Sequence, residues 1–292
     1  MKGGSGRIVT EKHVAVVGAG VMGCDLALDI ASHGYTVVLK DLTEDLLRKA
    51  EQKIRQNYPF VKLMKKDFSP SVEDLLSRIT FVTDYRDFSQ AEIVIENITE
   101  NFDKKKTLYA ELLDVCPPDV LFGVNTSCIP IGQIAALLSN PENVIGMHFL
   151  NPVPLKNLVE VITAPFTSSR TLERAKDFLQ SLDKTWVVVK DAPGFVTNRI
   201  LMLTINEAIR VVQEGIAEPK DVDRIFKLGF GHKMGPLATA DLIGLDTVRD
   251  SLVILYESYS DPKYLPCPLL EKMIEAGSLG RKTGKGFYEY GR

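Results

Sequence analysis

The strongest constraint on this chain is a glycine turn, Gly18-Ala19-Gly20-Val21-Met22-Gly23, set between the apolar run Val14-Ala15-Val16-Val17 and a stretch with helical spacing. A strand that feeds a helix through three glycines has a specific physical use. The first glycine permits the tight turn, the second lets the backbone approach a pyrophosphate, and the third allows the helix to pack closely on the strand. The helix N-terminus then points its unpaired N–H groups at the phosphates. A second β-rich run ends at Asp41, at the distance where an acidic side chain accepts hydrogen bonds from both hydroxyls of a ribose and repels a 2′-phosphate. Gly18, Gly20, Val21, Met22, Gly23 and Asp41 are therefore predicted to hold a dinucleotide, NAD in preference to NADP. Lys40 brings a cation beside Asp41 that works against this exclusion. Asp25 puts an acid in the first helical turn, where the helix dipole welcomes it but a pyrophosphate would not, so it reads as a surface residue angled away.

The first half of the chain alternates β-rich runs, at 13–18, 35–41, 79–83, 92–98, 120–125 and 143–148, with segments of helix length. That alternation implies a parallel sheet with helices on both faces. A further apolar run at 158–163, a helical stretch at 168–182 and a run at 185–189 complete the sheet. After Lys190-Asp191-Ala192-Pro193-Gly194 strand-like runs largely disappear, and 196–215 repeats apolar residues at helical spacing. The predicted architecture is α/β: a Rossmann-type doubly wound sheet followed by an all-α C-terminal domain. Residues 1–12 form a flexible lead-in, 13–190 an NAD-binding domain and 191–292 a helical domain for substrate and dimerisation. The tail Gly280-Arg281-Lys282-Thr283-Gly284-Lys285-Gly286-Phe287-Tyr288 is too rich in glycine for a helix and reads as a loop packing back on the body.

A net charge of −3 gives no general attraction to nucleic acid or to an anionic membrane. The polar, glycine-rich start lacks the apolar core of a secretory signal, and no run has the ~18 unbroken apolar residues of a membrane span. A soluble, cytoplasmic protein is expected. Cys24, Cys116, Cys128 and Cys267 show no paired spacing and are expected as free thiols. No metal site is expected.

Downstream of the glycine turn lie His148 in Met-His-Phe-Leu-Asn-Pro-Val-Pro, Glu160 in Leu-Val-Glu-Val, and Asn198 in Pro-Gly-Phe-Val-Thr-Asn-Arg. Oxidising a secondary alcohol moves a hydride to nicotinamide while a base takes the hydroxyl proton, and histidine is best matched to that proton near neutrality. The Asn-Pro-Val-Pro turn can return the chain so that Glu160 approaches His148, fixing its tautomer and stabilising the imidazolium. With Asn-Thr-Ser, Met-Gly-Pro-Leu, Asp-Leu-Ile-Gly-Leu-Asp and Gly-Arg-Lys-Thr-Gly-Lys-Gly-Phe-Tyr, these strings in fixed order resemble the 3-hydroxyacyl-CoA dehydrogenases, of the 3-hydroxybutyryl-CoA kind, over nearly the whole chain.

The resemblance implies an NAD-dependent enzyme that interconverts 3-hydroxyacyl and 3-oxoacyl thioesters and works as a homodimer. His148 and Glu160 match the family's catalytic pair, and Ser127 and Asn198 its substrate-holding positions. Glu100 and Lys105 match positions near the nicotinamide, with Asn125 on the cofactor side, although from spacing alone Asp103-Lys104-Lys105-Lys106 is a solvated helix face. Asn151 either orders the loop after His148 or touches the nicotinamide amide. Lys62, Lys65 and Lys66 lie where the family places the adenosine-phosphate end of coenzyme A; they could equally meet an acidic carrier protein or only water.

The chain departs from the family's usual pattern at Cys128, where a second serine is common, at Lys156, a basic residue shifted by one, and at Lys233, where proline is frequent. These surround the mouth of the site, so the thioester handle or the acyl group is expected to differ from short-chain acyl-CoA, and an acyl group on an acyl carrier protein, as in polyketide-type biosynthesis, stands as the alternative substrate. A free thiol at Cys128 would make the enzyme sensitive to alkylation. A non-catalytic relative of the lens-crystallin kind is a further reading, opposed by the retention of all four site residues. Dehydrogenases of free 3-hydroxyacids use a lysine where this chain offers Asn198 and Arg199.

Overall fold

The computed structural model describes residues 13–65 and 68–291. The expected lead-in and Lys66 lie outside them. The chain opens β1 (His13–Val17), α1 (Val21–Ser32), β2 (Thr36–Lys40), α2 (Glu44–Met64), α3 (Val72–Leu76), β3 (Ile79–Val82), β4 (Ile93–Glu96), α4 (Phe102–Val115) and β5 (Leu121–Val124). It continues through α5 (Ile131–Ala135), β6 (Val144–Phe149), β7 (Leu158–Thr163), α6 (Ser169–Ser181) and β8 (Thr185–Lys190). Five helices follow: α7 (Thr197–Gln213), α8 (Pro219–Gly229), α9 (Pro236–Ile243), α10 (Leu245–Tyr259) and α11 (Pro268–Glu275).

The eight strands form one sheet in the order β3-β2-β1-β4-β5-β6-β7-β8. The first six run parallel, with both faces covered, which is why Val14, Val16, Val37, Leu39, Val94 and Ile95 are all buried. The sheet is not parallel throughout, as expected above. β7 pairs antiparallel with β6, and β8 runs parallel to β7. The cause is the link at 150–157, too short for the dozen or more residues a parallel crossover needs. β6 and β7 therefore make a hairpin-like return that opposes His148 to Glu160. The strand order reverses between β1 and β4, the place where open α/β sheets bind ligands at the carboxyl ends of their strands.

Helix starts follow local chemistry. Thr43 caps α2 by accepting from the Leu46 N–H, with Glu44 and Asp45 in the first turn, and Asn101 caps α4 by accepting from Lys104. Asp191 accepts from the N–H groups of Ile131 (2.9 Å) and Gly132 (2.7 Å) at the start of α5.

Contacts divide the chain into two compact units: residues up to 126 with 130–191, and residues 127–129 with those from 192 onward. The second unit has its own core, built from Met202 and Ile205 on α7, Leu237 on α9, and Leu245, Leu252 and Leu255 on α10. Two buried acids staple it. Asp223 accepts from the N–H groups of Leu237 and Ala238 at the start of α9, both at 2.9 Å, and from the Tyr288 hydroxyl at 2.8 Å. Asp241 accepts from Phe287 N, Tyr288 N and the Tyr290 hydroxyl, each at 3.0 Å. The glycines of the tail serve this packing: a Cβ on Gly286 would sit 2.0 Å from Asp241 Oδ1. The tail contains a short 3-10 turn, Arg281–Thr283, flanked by bridges between Gly280 and Lys285 and between Lys285 and Glu289.

Candidate active site

At the carboxyl ends of β1, β2 and β4 lies a cavity of about 670 Å³. Of the residues expected to hold a dinucleotide, Gly18, Gly20, Val21, Met22 and Asp41 line it. Gly18 has φ +94°, and a Cβ there would meet the Asn97 carbonyl at 2.8 Å, so only glycine fits the turn. A Cβ on Gly23 would fall 1.7 Å from the Gly18 carbonyl oxygen, which shows how closely α1 is seated on the turn. A Cβ on Gly20 would meet nothing within 4 Å, so the backbone is open to a ligand there. Asp41 accepts from Ala19 N through Oδ2 and from Leu42 N through Oδ1, both at 2.7 Å, and its remaining lone pairs are free to meet ribose hydroxyls. Glycine turn, helix start and anchored acid fit a dinucleotide.

The same cavity is lined by residues that sequence reasoning missed, among them Tyr85, Asn97, Lys104 and Glu111. No periodicity marks them, because they come from loops and from α4, far apart in the chain. Tyr85 donates to Glu111 at 2.7 Å, and Lys40 Nζ lies 4.4 Å from the Tyr85 ring centre and 3.1 Å from its hydroxyl. The cation beside Asp41 is thus held on an aromatic face. Among the cofactor expectations, Lys105 departs from the reading of its run as a solvated helix face. It is fully buried, and its ammonium donates to both carboxylate oxygens of Glu96 at 2.6 Å. Burial pushes Glu96 above the usual carboxylate range, and Lys105 opposes that rise. Glu96 also accepts from Ile98 N at 2.7 Å, so the pair shapes the turn at the end of β4 from beneath. Glu100 accepts from the Thr126 hydroxyl, and Asn151 is exposed at a cis bond to Pro152.

Asp25 corrects its reading as a surface residue. It is 4% exposed, accepts from Asn57 Nδ2 at 2.9 Å, and turns inward from α1 toward the turn at 153–155, where the Val153 N–H donates to it. Burial is the largest influence on its carboxyl and raises it above the usual range, against the hydrogen bonds from Asn57 and Val153.

His148 and Glu160 meet across β6 and β7. The imidazole Nδ1 lies 3.1 Å from Glu160 Oε2, with the residues 6% and 5% exposed. A carboxylate there favours the proton on Nδ1 and leaves Nε2 as acceptor, a tautomer assigned from the chemistry of the pair. The backbone beside the histidine is fixed by an amide ladder. Phe149 N donates to Asn125 Oδ1 at 3.1 Å, and Asn125 Nδ2 donates to Asn97 Oδ1 at 2.6 Å, linking the ends of β6, β5 and β4 to the cavity.

The other two expected residues meet in the second unit. Asn198, in the first turn of α7, donates from Nδ2 to the Ser127 carbonyl at 2.9 Å. Cys128 beside them is fully buried, which removes the expected ease of alkylation. Of the lysines read as meeting a coenzyme's phosphate end, an acidic carrier protein or water, Lys65 pairs with Asp29 at 3.1 Å and Lys62 lies over the Tyr58 ring.

Residues 13–192 match the sequence model of the 3-hydroxyacyl-CoA dehydrogenase NAD-binding domain, and residues 194–290 that of the same family's C-terminal domain. The chain is 41% identical over 279 residues to a probable 3-hydroxybutyryl-CoA dehydrogenase of Bacillus subtilis, covering 96% of this chain and 97% of that protein. It is 44% identical over 276 residues to a probable 3-hydroxybutyryl-CoA dehydrogenase of Deinococcus radiodurans, covering 94% and 99%. The crystal structure of (S)-3-hydroxybutyryl-CoA dehydrogenase from Ralstonia eutropha matches with a TM-score of 0.88 at 40% identity, over 97% of this chain and 100% of that one. With its nucleotide cavity and both its units matched by one family, the chain belongs to the 3-hydroxyacyl-CoA dehydrogenases, NAD-dependent oxidoreductases.

Proposed function

We propose that this dehydrogenase interconverts short-chain 3-hydroxyacyl-CoA and 3-oxoacyl-CoA, with His148 as the proton-transferring group. The observation that carries the reading is the buried His148–Glu160 pair, 3.1 Å apart in the sheet that also builds the nucleotide cavity. The names of the relatives, 3-hydroxybutyryl-CoA dehydrogenases, support the acyl group.

Held by the glycine turn and Asp41, NAD would supply the hydride-accepting carbon. As the C–H bond of the alcohol gives up its hydride, the O–H bond gives its proton to His148 Nε2, and the carbonyl forms. Glu160, accepting from Nδ1, stabilises the imidazolium without taking the proton. In the reverse direction the imidazolium returns the proton to the developing alkoxide. Asn198 holds the Ser127 backbone, and both side chains are assigned to the reacting oxygen and the thioester carbonyl. Glu100, Lys105, Asn125 and Asn151 are assigned to the nicotinamide side, Lys105 through Glu96 rather than by touching the cofactor. The residues from 191 onward are assigned to substrate and dimer contacts, in a homodimeric cytoplasmic enzyme. Among the described residues no helix is long and apolar enough to cross a membrane.

The test is NADH oxidation with acetoacetyl-CoA beside 3-oxoacyl groups loaded on an acyl carrier protein. Turnover of the coenzyme A substrate is expected. Activity confined to the carrier-bound substrate would move the enzyme to carrier-linked biosynthesis, and silence on both would favour a non-catalytic relative.

A further inference from the structure

A buried charge cluster that the proposed reaction does not use holds the loop joining the strands of His148 and Glu160. Lys184, in the turn leading into β8, is 4% exposed. Its ammonium donates to the Val153 carbonyl at 2.7 Å and the Lys156 carbonyl at 3.1 Å, both in the link at 150–157 between β6 and β7. It also pairs with Asp29 Oδ2 on α1 at 2.8 Å. Asp29, with a fully buried side chain, is paired through Oδ1 with Lys65 of α2 at 3.1 Å. The neighbouring turn of α1 contributes Asp25, which accepts from Val153 N. Around them, His33 Nδ1 contacts the Asp29 carbonyl at 2.7 Å, and Asp183 lies 3.7 Å from His33 Nε2.

An ammonium taken this far from water is costly unless it is paired and its three N–H donors are met. This one bonds two carbonyls of a single loop and a carboxylate of the cofactor helix at once. The loop joins the strand of His148 to that of Glu160, and Thr185 N, next to Lys184, donates to Asn157 O at 2.8 Å. β8 then continues beside β7, pairing Val187 with Glu160. We infer that Lys184 is a positioning residue: with Asp29 it bolts the loop between β6 and β7 to α1, and so sets the contact of His148 with Glu160. The inference rests on the proposed role of that pair.

The experiment compares wild type with Lys184→Met, Glu160→Gln and the combination of the last two. Three readouts are taken: kcat for acetoacetyl-CoA reduction, KM for NADH, and the proton resonance of the His148 Nδ1–H, assigned by its loss in Glu160→Gln. Lys184→Met is expected to lower kcat about ten-fold, as loss of a group that orients a catalytic one does, with KM for NADH held within about two-fold. The Nδ1 resonance should broaden or move upfield, and adding Glu160→Gln should cost much less than in wild type, because the two act on one contact. A folded Lys184→Met with wild-type kcat and an unmoved resonance overturns the inference, as do losses that multiply. If that variant fails to fold, the doubly neutral Asp29→Asn, Lys184→Met form takes its place, and failure of both to fold overturns the inference by making the pair a requirement of folding alone. A wild type inactive on acetoacetyl-CoA sinks the proposed substrate instead, while the resonance still decides on Lys184.

Discussion

His148 offers the most direct test at the scale of one side chain. Replacing it by Gln keeps size and a hydrogen bond but removes the proton carrier. We expect His148→Gln to lower kcat by at least ~10²-fold with KM for NADH nearly unchanged; near-normal turnover would remove the histidine from the reaction. Asp41 tests the cofactor end. Its carboxylate closes the glycine turn through Ala19 and also faces the cavity, so Asp41→Ala should weaken NADH binding and narrow the gap to NADPH. An unchanged preference between the two cofactors would locate the selection elsewhere, with Lys40 on the Tyr85 face the next residue to examine. Asp25 is a group whose folded carboxyl is raised, by burial first, so between the ordinary carboxylate range and its raised value the folded state holds more protons than the unfolded one. Its contribution to stability therefore falls as pH rises through that window. Asp25→Asn, which keeps an acceptor for Asn57 and Val153, should flatten this part of the pH–stability curve and raise Tm above the window. Parallel curves for variant and wild type would show that Asp25 ionises without cost.

At the scale of elements, the turn and the staples carry the predictions. Gly23→Ala puts a methyl where the Gly18 carbonyl stands, so α1 must shift off the turn, and NADH affinity should fall before the fold does. Asp241→Ala strands three part-buried donors, Phe287 N, Tyr288 N and the Tyr290 hydroxyl. That should cost about 3 kcal/mol, read as a lower denaturant midpoint at constant slope. The glycine turn was legible because each of its glycines answers to one local steric demand, and the first six strands because two covered faces make them continuously apolar. The return of β7 was half legible: the Asn-Pro-Val-Pro turn brought Glu160 toward His148, yet the reversal of β7 and β8 within a sheet read as parallel was missed, since it depends on link length rather than residue type. Asp25, and the run of Lys105 as read from spacing alone, misled for one reason. A charged residue in a helical run looks solvated until its partner is known, and the partners, Glu96 for one and Asn57 with the Val153 N–H for the other, are set by the tertiary fold.

At the scale of the whole molecule, the helical unit carries an apolar surface its own core does not use. On α8, Val222 and Asp223 turn inward while Ile225 and Leu228 are 58% and 75% exposed, with Phe230 just beyond at 67% and Ile216 before it at 68%. Apolar side chains exposed together on one helix and its flanks are what an interaction surface offers. Each large aliphatic group moved out of water there contributes up to about 2 kcal/mol, enough in combination to hold two copies of a chain with a net charge of only −3. The proposed homodimer thus has a physical basis in this face. Light scattering at micromolar concentration should give twice the 32.4 kDa of one chain, and Leu228→Glu, which places a charge in the middle of the patch, should shift the mass toward the monomer with the fold retained. A wild-type monomer would withdraw the dimer altogether, whereas a dimer indifferent to Leu228→Glu would keep the assembly and move its interface away from α8.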